Sequence, residues 1–553
     1  MMKRIINLIL IFLFLLVIAG CEKKKEEGKN EAPEIKDTQT SQTAQAMKTN
    51  KDVIVFNNGT EPQTIDPALS VDLTEARIIL CCFEGLVRVN AENKIHPGIA
   101  KSWEISDDKK IYTFHLRDAK WSDGSPIKAN DFIYAWKRAL SPEITSKYAY
   151  QLYYIKNGEE YNKGKITDFE LVGVKSLDDK TIRIELNAPT NYFLELTTFP
   201  TYMPLKGDTI GTNPDWALSP KNYISNGPFK LVEWEDNNKM RFVKNENYWD
   251  SNRVQLKELI FTMIEDESSE LTAFELGEID ITQNVPLPDV DRLKAEGKLK
   301  VYPHIATYYV CFNTQKPPFN DKNVRKAFTY AIDRKKIVDK VMKRGERVAL
   351  AWVPYGIKDA DGILEFREFG EDLFQDNNVV EAQKCLSDAG YGVGLTFPEV
   401  TYIYNTNEAH KVLAETFQEM WRKNLGVQVN LMNQEWKVFI ETRQGGDFQI
   451  CRDGWIGDYL DSMTFMDVFV TDGGNNDAHW SNKEYDELIR KAKMSSDQKE
   501  RIELMHKAEK ILMEEMPICP IYFYVDAFCM KDNIRKLGVS PLGLVDFSEA
   551  YKE

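Results

Sequence analysis

Histidine is scarce in this chain: six among 553 residues, scattered so that no two form a metal pair at i, i+4. Catalytic spacings are missing as well. There is no GxSxG elbow, no HExxH and no GxxxxGK[ST] phosphate loop. The GYGVG at 390–394 lacks the dinucleotide spacing and follows a helical pattern, and the DADG at 359–362 lacks most ligands of a calcium loop. An enzyme is therefore not expected, nor a cofactor or a metal. Basic residues are outnumbered, 71 against 86 acidic, for a net charge of −15. That argues against nucleic acid, whose phosphates call for a basic patch. No CxxC spacing occurs among the eight cysteines. If Cys21 is modified, an odd seven remain, and buried free thiols are expected rather than a disulfide framework.

Long apolar runs are also lacking, with one exception at the start. Lys3 and Arg4 precede IINLILIFLFLLVIAG at 5–20, a charged segment and an apolar segment in the order of a secretory signal. Sixteen residues are short for a membrane span, which needs about 20. The run ends Ile18-Ala19-Gly20-Cys21, which resembles a bacterial lipoprotein lipobox. The resemblance implies cleavage before Cys21 and acylation of its thiol, with 1–21 the lipoprotein signal segment counted through its lipobox cysteine. Residues 22–50 are charged and polar with hardly any large apolar side chains, the composition of a disordered tether reaching about 30 Å. The bulk of the chain is then extracytoplasmic, held to a membrane by lipid.

What is present beyond residue 50 is a mixture of strand and helix patterns. DVIVFNNG reads as a strand entering a turn, and KIYTFHLR (110–117) as a strand buried on both faces. TIRIELN (181–187) alternates as a half-buried strand does. HKVLAETFQEMWRKNLG places Leu413, Phe417, Met420 and Trp421 on one helical face and ends on Gly426. VQVNLMN then alternates again. KERIELMHKAEKILMEE carries a stripe of Ile502, Met505, Ala508 and Leu512, and Pro517 stops it before ICPIYFYV. The body is α/β in character.

Several blocks together resemble one family. They are GTEPQTIDPALS (59–70), FEGLVRVN (83–90), the long stretch 97–138, SNGPFKLVEW (225–234), GEID (277–280) and FNTQKPPFNDKNVRKAFTYAIDR (312–334). YNTNEAHK (404–411), NLGVQVNLMNQEWKVF (424–439) and CRDGWIGDYLDSMTF (451–465) complete the set. In this order they are similar to the extracytoplasmic peptide-binding proteins of ABC importers, solute-binding family 5. The resemblance implies a bilobal, periplasmic-binding-protein-like fold of class II (cluster C), with an extra domain on the first lobe. Carried over, lobe I is 50–83 with 206–305 and 526–553, the extra domain is 84–205, and lobe II is 306–525. It implies a monomer that closes on short peptides and delivers them to permease subunits. The same fold can instead serve a metal chelate, haem or cell-wall peptide, or act as a surface sensor.

The resemblance also implies roles for residues. Asp458 matches the aspartate that pairs with the peptide's α-ammonium. Gly454 and Ile456, with Leu73, match positions whose main chain meets the ligand. Strand addition of this kind gives affinity that ignores side chains. Arg452, Arg443 and His410 match positions that meet the ligand carboxylate. Trp455, Trp436, Tyr148, Tyr309, Tyr524 and Asn284 match walls of side-chain pockets. The chain departs from the pattern at Val71, where relatives can carry an acid, and at Met342, where they can carry a lysine, which puts contacts to very short ligands in doubt. Ala306 and Ile456 stand where some relatives form a disulfide.

Overall fold

The computed structural model describes residues 50–89, 94–211, 213, 215–392 and 394–553. The signal segment, Cys21 and the tether up to residue 49 lie outside these.

The strand Val53–Asn57 opens the body. It runs parallel to Glu258–Thr262, which continues antiparallel into Lys239–Lys244 and Phe229–Glu235 to make a four-stranded sheet. Alternation buries Ile54 and Phe56 on one face, where Phe56 packs edge-on to Phe261. A second four-stranded sheet, all antiparallel, is built by Ala100–Ile105, Ile111–Leu116, Thr181–Glu185 and Val174–Asp178. Here the expectation for 110–117 needs correction. Tyr112, Phe114 and Leu116 are buried, but Ile111, Thr113 and His115 are half-exposed, because only one face of this sheet is packed on the core. Ile182 and Ile184 bury on the neighbouring strand as their alternation requires.

The third sheet has six strands, in the order Arg347–Val348, Ile518–Cys529, Leu299–Phe312, Ile450–Ile456, Val400–Asn405 and Val429–Gln434. Two of them, Leu299–Phe312 and Ile518–Cys529, are 14 and 12 residues long, about twice the usual strand. Their pairing is interrupted between Pro303 and Thr307. Residues 305–312 beyond the break are buried, whereas 299–304 are partly exposed. Single bridges from Phe56 to Ile281 and from Ile281 to Met530 tie the first sheet to the end of this long pair.

The helix expected around 410–425 is Glu408–Leu425, capped by Asn407 and closed by Gly426 at φ 71°, a left-handed turn that glycine enters without steric cost. Leu413, Phe417, Met420 and Trp421 form its buried face. The helix Gln498–Glu515 ends instead on Met516 at φ 51°, and Pro517 leads into Ile518–Cys529. All seven described cysteines are free and buried.

Candidate functional site

Ile450–Ile456 pairs with Leu299–Phe312 along its whole length, from Phe312 opposite Ile450 to Ala306 opposite Ile456. On its other side Val400–Asn405 reaches only Ile450 and Cys451. From Arg452 onward that side borders a cavity of about 670 Å³, a volume in the range of small-ligand sites. The Gly457 N–H donates to the Ile305 carbonyl at 2.9 Å. By strand alternation, residues 455 and 453 then turn their main-chain groups to the paired strand, and 456, 454 and 452 turn theirs to the cavity. Gly454 and Ile456, singled out from the sequence, have the cavity parity. The Gly454 N–H is held by its neighbour, the Asp453 carboxylate, at 2.8 Å. A side chain at 454 would press on the Tyr524 hydroxyl, 3.1 Å from an ideal Cβ.

Asp458 lies just past this edge and lines the cavity. Gln151 Nε2 donates to its Oδ2 at 2.7 Å and the Tyr150 hydroxyl at 3.2 Å. Its own N–H donates to Thr464 Oγ1. Among the described residues no lysine, arginine or histidine pairs with it. Burial, with Asp467 adding to it and the Tyr150 and Gln151 bonds opposing it, pushes its carboxyl up to about 8. A carboxylate so placed is a receptor for a cation.

The three residues matched to a ligand carboxylate fare differently. Arg452 lines the cavity; its Nη2 donates to the Tyr524 hydroxyl at 3.5 Å, its Nε is buried without a partner, and no carboxylate pairs with it among the described residues. Arg443 also lines the cavity, but its Nη1 meets Asp453 at 2.5 Å and its Nε lies 2.9 Å from Asp477. Its charge is thus already opposed twice. His410 is not on the cavity wall. It packs on Tyr308 at 5.6 Å, and burial, with Arg452 adding to it, holds its imidazole well below its usual range. It is a neutral neighbour of Arg452, not a cation. Asp453 and Asp477 carried no signal in the sequence reading, since a carboxylate facing an arginine ten or thirty-four positions away has no local pattern.

Leu73, Tyr148, Asn284, Tyr309, Trp436 and Trp455 all line the cavity. Tyr309 and Trp455 are largely core: the Tyr309 hydroxyl donates to Asp453 at 2.8 Å and the Trp455 indole to the Thr464 carbonyl at 2.9 Å. Tyr524 stands behind Arg452 and off the wall. Tyr148 packs on Phe199 at 4.8 Å. Trp436 lies beside Asp72, which caps the helix Leu73–Cys82 and whose carboxyl burial pushes up. At the position of the missing lysine, Met342 is buried and Lys343 pairs with Asp291 at 2.6 Å, so neither brings a cation to the cavity. Ala306 and Ile456 face each other across the ladder, where relatives can place a disulfide. No cluster of three or more histidine, cysteine or acidic groups fit for a metal, and no helix long and apolar enough to cross a membrane, occurs among the described residues.

Comparison with known proteins agrees with this architecture. The model of the bacterial extracellular solute-binding proteins, family 5 Middle, matches residues 94–477. The chain is 40% identical over 512 residues to the oligopeptide-binding protein OppA of Bacillus subtilis, covering 91% of this chain and 93% of that one. It is 37% identical over 510 residues to the periplasmic OppA of Salmonella typhimurium, covering 91% and 92%. The structure superposes on Haemophilus influenzae OppA in complex with the peptide RPPGFSPFR with a TM-score of 0.84 at 32% identity, over 91% of this chain and 99% of that one. The murein tripeptide-binding protein MppA of Escherichia coli, 34% identical, gives 0.84 over 91% and 99% in one structure. Its unliganded open form gives 0.64 over 91% and 98%. The parts of this chain are thus disposed as in the former. The fold is α/β and bilobal with an extra domain on the first lobe, and the chain belongs to the bacterial extracellular solute-binding proteins of family 5.

Proposed function

We propose that this chain captures short peptides in the cavity and hands them to the membrane permease of an ABC importer. One observation carries the reading. A half-buried carboxylate without a cation, Asp458, and a half-buried guanidinium without a carboxylate, Arg452, border one cavity on either side of an unpaired strand edge. A free peptide offers the matching set: an ammonium, a carboxylate and a backbone able to extend a sheet. The span fits, because six residues of strand cover about 20 Å and a ligand of three to five residues about 10–17 Å. Asp458 takes the amino terminus, and the main chain at Gly454 and Ile456 takes the ligand backbone, with Leu73 opposite. Arg452 takes the carboxylate, seconded by His410 and Tyr524. Tyr148, Trp436, Trp455, Tyr309 and Asn284 wall the side-chain space. Arg443, already doubly paired, is assigned to the wall and not to the carboxylate.

The lobes proposed are 50–83 with 206–305 and 526–553, and 306–525, with 84–205 as the extra domain. The boundaries at 305 and 525 fall beside the interrupted pairing in the two long strands, which supports them as hinge strands. The lipobox-like Ile18-Ala19-Gly20-Cys21 supports a lipid anchor at Cys21 and extracytoplasmic display; loss of the protein from membrane fractions in Cys21→Ala tests the anchor. The protein binds its ligand and does not transform it. Relatives are named for dipeptides, murein peptide and deoxycholate as well as oligopeptides, so the ligand itself is the test. Titration calorimetry with tri- to pentapeptides is expected to give micromolar or tighter binding, about −8 kcal/mol or better, and mass spectrometry is expected to recover them intact. Undiminished binding after N-acetylation would overturn the reading.

A further inference from the structure

The wall of the cavity carries a charge that the ligand's two ends do not answer. Asp453 and Asp477 both bear on Arg443, at 2.5 and 2.9 Å. One guanidinium between two carboxylates leaves a surplus negative charge, and all three residues line the cavity. Asp453 is fully engaged: Oδ1 accepts from Arg443 and from the Gly454 N–H, and Oδ2 accepts from the Tyr309 hydroxyl. Asp477 is not. Among the described residues Arg443 is its only ion-pair partner, and the nearby exposed Lys147 makes no ion pair with it. Burial, with Asp453 adding to it and Arg443 opposing, pushes the Asp477 carboxyl up to about 6.

The loop that carries Asp477 reaches the amino-terminal end of the site. Asn475, two positions earlier, donates to the Tyr150 hydroxyl at 3.3 Å, and that hydroxyl donates to Asp458. Tyr148 stands near both Asp458 and Arg443 and packs on Phe199. Its apolar ring face suits the aliphatic stem of a long basic side chain, with the ammonium or guanidinium beyond it. Once Asp458 and Arg452 are matched by the ligand's ends, the surplus at Asp477 is still open to a cation. A carboxylate brought to the same place meets two of its own sign, which is selection by repulsion as well as by attraction.

We infer that this cavity selects peptides bearing a lysine- or arginine-type side chain at the second or third residue, with Asp477 as its counter-ion. The inference rests on the peptide reading above. The test is calorimetry with Ala-Ala-Ala and with Ala-Xaa-Ala and Ala-Ala-Xaa, where Xaa is lysine, its uncharged near-isostere norleucine, or glutamate. At one of the two positions lysine is expected to bind about tenfold tighter than norleucine, with glutamate weaker than both. In Asp477→Asn the lysine-to-norleucine ratio is expected to fall to near one. Binding of Ala-Ala-Ala together with equal affinities for all three side chains at both positions overturns the inference and leaves the peptide reading standing. A lysine preference that survives in Asp477→Asn overturns it too. Failure of every peptide, Ala-Ala-Ala included, overturns the peptide reading and this inference with it.

Discussion

Gln151 Nε2 and Asp458 Oδ2 meet at 2.7 Å although 307 positions separate them along the chain. Tyr150 adds a second donor. Both donors are neutral, so they solvate the carboxylate without neutralising it. Removing this one charge is expected to undo recognition. Asp458→Ala should cost about 2–5 kcal/mol in peptide affinity, because the ligand ammonium would be buried unpaired. Equal affinities for the two proteins by calorimetry would remove Asp458 from the site.

The same group sets a pH dependence. With burial pushing its carboxyl up to about 8, Asp458 is largely protonated near neutrality. A bound ammonium holds it ionised, so binding releases protons there, and affinity falls as the pH drops below about 8. Above that, the ligand's own amino group, with a pKa of about 8, loses its charge. Titrations in buffers of different ionisation enthalpy measure the released protons; none released at neutral pH would refute the assignment.

A half-buried carboxylate met only by neutral donors is a burden on the folded protein. Its raised folded-state pKa means that its unfavourable contribution is absent below the unfolded value of about 4 and complete above about 8. Asp458→Asn is therefore expected to raise the melting temperature of the ligand-free protein at mildly alkaline pH, with the gain vanishing in acid. Loss of binding together with gain of stability marks a functional group; a purely structural aspartate would lose both.

Arg452 should sense the other end of the peptide. Amidating the ligand's carboxyl terminus is expected to weaken binding to the native protein but to change binding to Arg452→Gln by much less, the non-additivity expected of direct partners. Equal costs of amidation in both proteins would show that the carboxylate lies elsewhere.

The free edge has its own test. The Ile456 N–H has the parity that faces the cavity, so Ile456→Pro deletes a donor the ligand uses while sparing the ladder to Leu299–Phe312. The circular dichroism spectrum should be retained and peptide affinity should fall about tenfold or more. Retained affinity would argue against strand addition.

Ala306 and Ile456 sit opposite at a position where the ladder places no hydrogen bond between the two strands, where Cα atoms approach to about 4.5 Å. Ala306→Cys with Ile456→Cys should therefore close a disulfide under oxidising conditions, seen as the loss of two hydrogens by mass spectrometry. Free thiols in both positions would contradict the register.

Much of this was legible in the residues. Helices announced themselves where an apolar stripe met a cap, as at Asn407 through Gly426, because both signals are local. The stretch CRDGWIGDYLDSMTF (451–465) pointed to Gly454, Ile456 and Asp458 through resemblance, and all three line one cavity. The strand at 111–116 misled, because Ile111, Thr113 and His115 on its second face pack only partly, and sequence does not say how many faces a sheet covers. The pairing of Arg443 with Asp453 and Asp477 was not legible either: a guanidinium looks free until the carboxylates that fold against it are known.

By itself, the sequence determined the α/β character, the capped helices, the acidic balance and the family, since each depends on residue type and short-range order. Only the tertiary structure decided which charges are left without partners. Pairing depends on distance through space, and it took the packing of 150–151 and 477 onto the 450–458 stretch to leave Asp458 and Arg452 unanswered while Arg443 was answered twice.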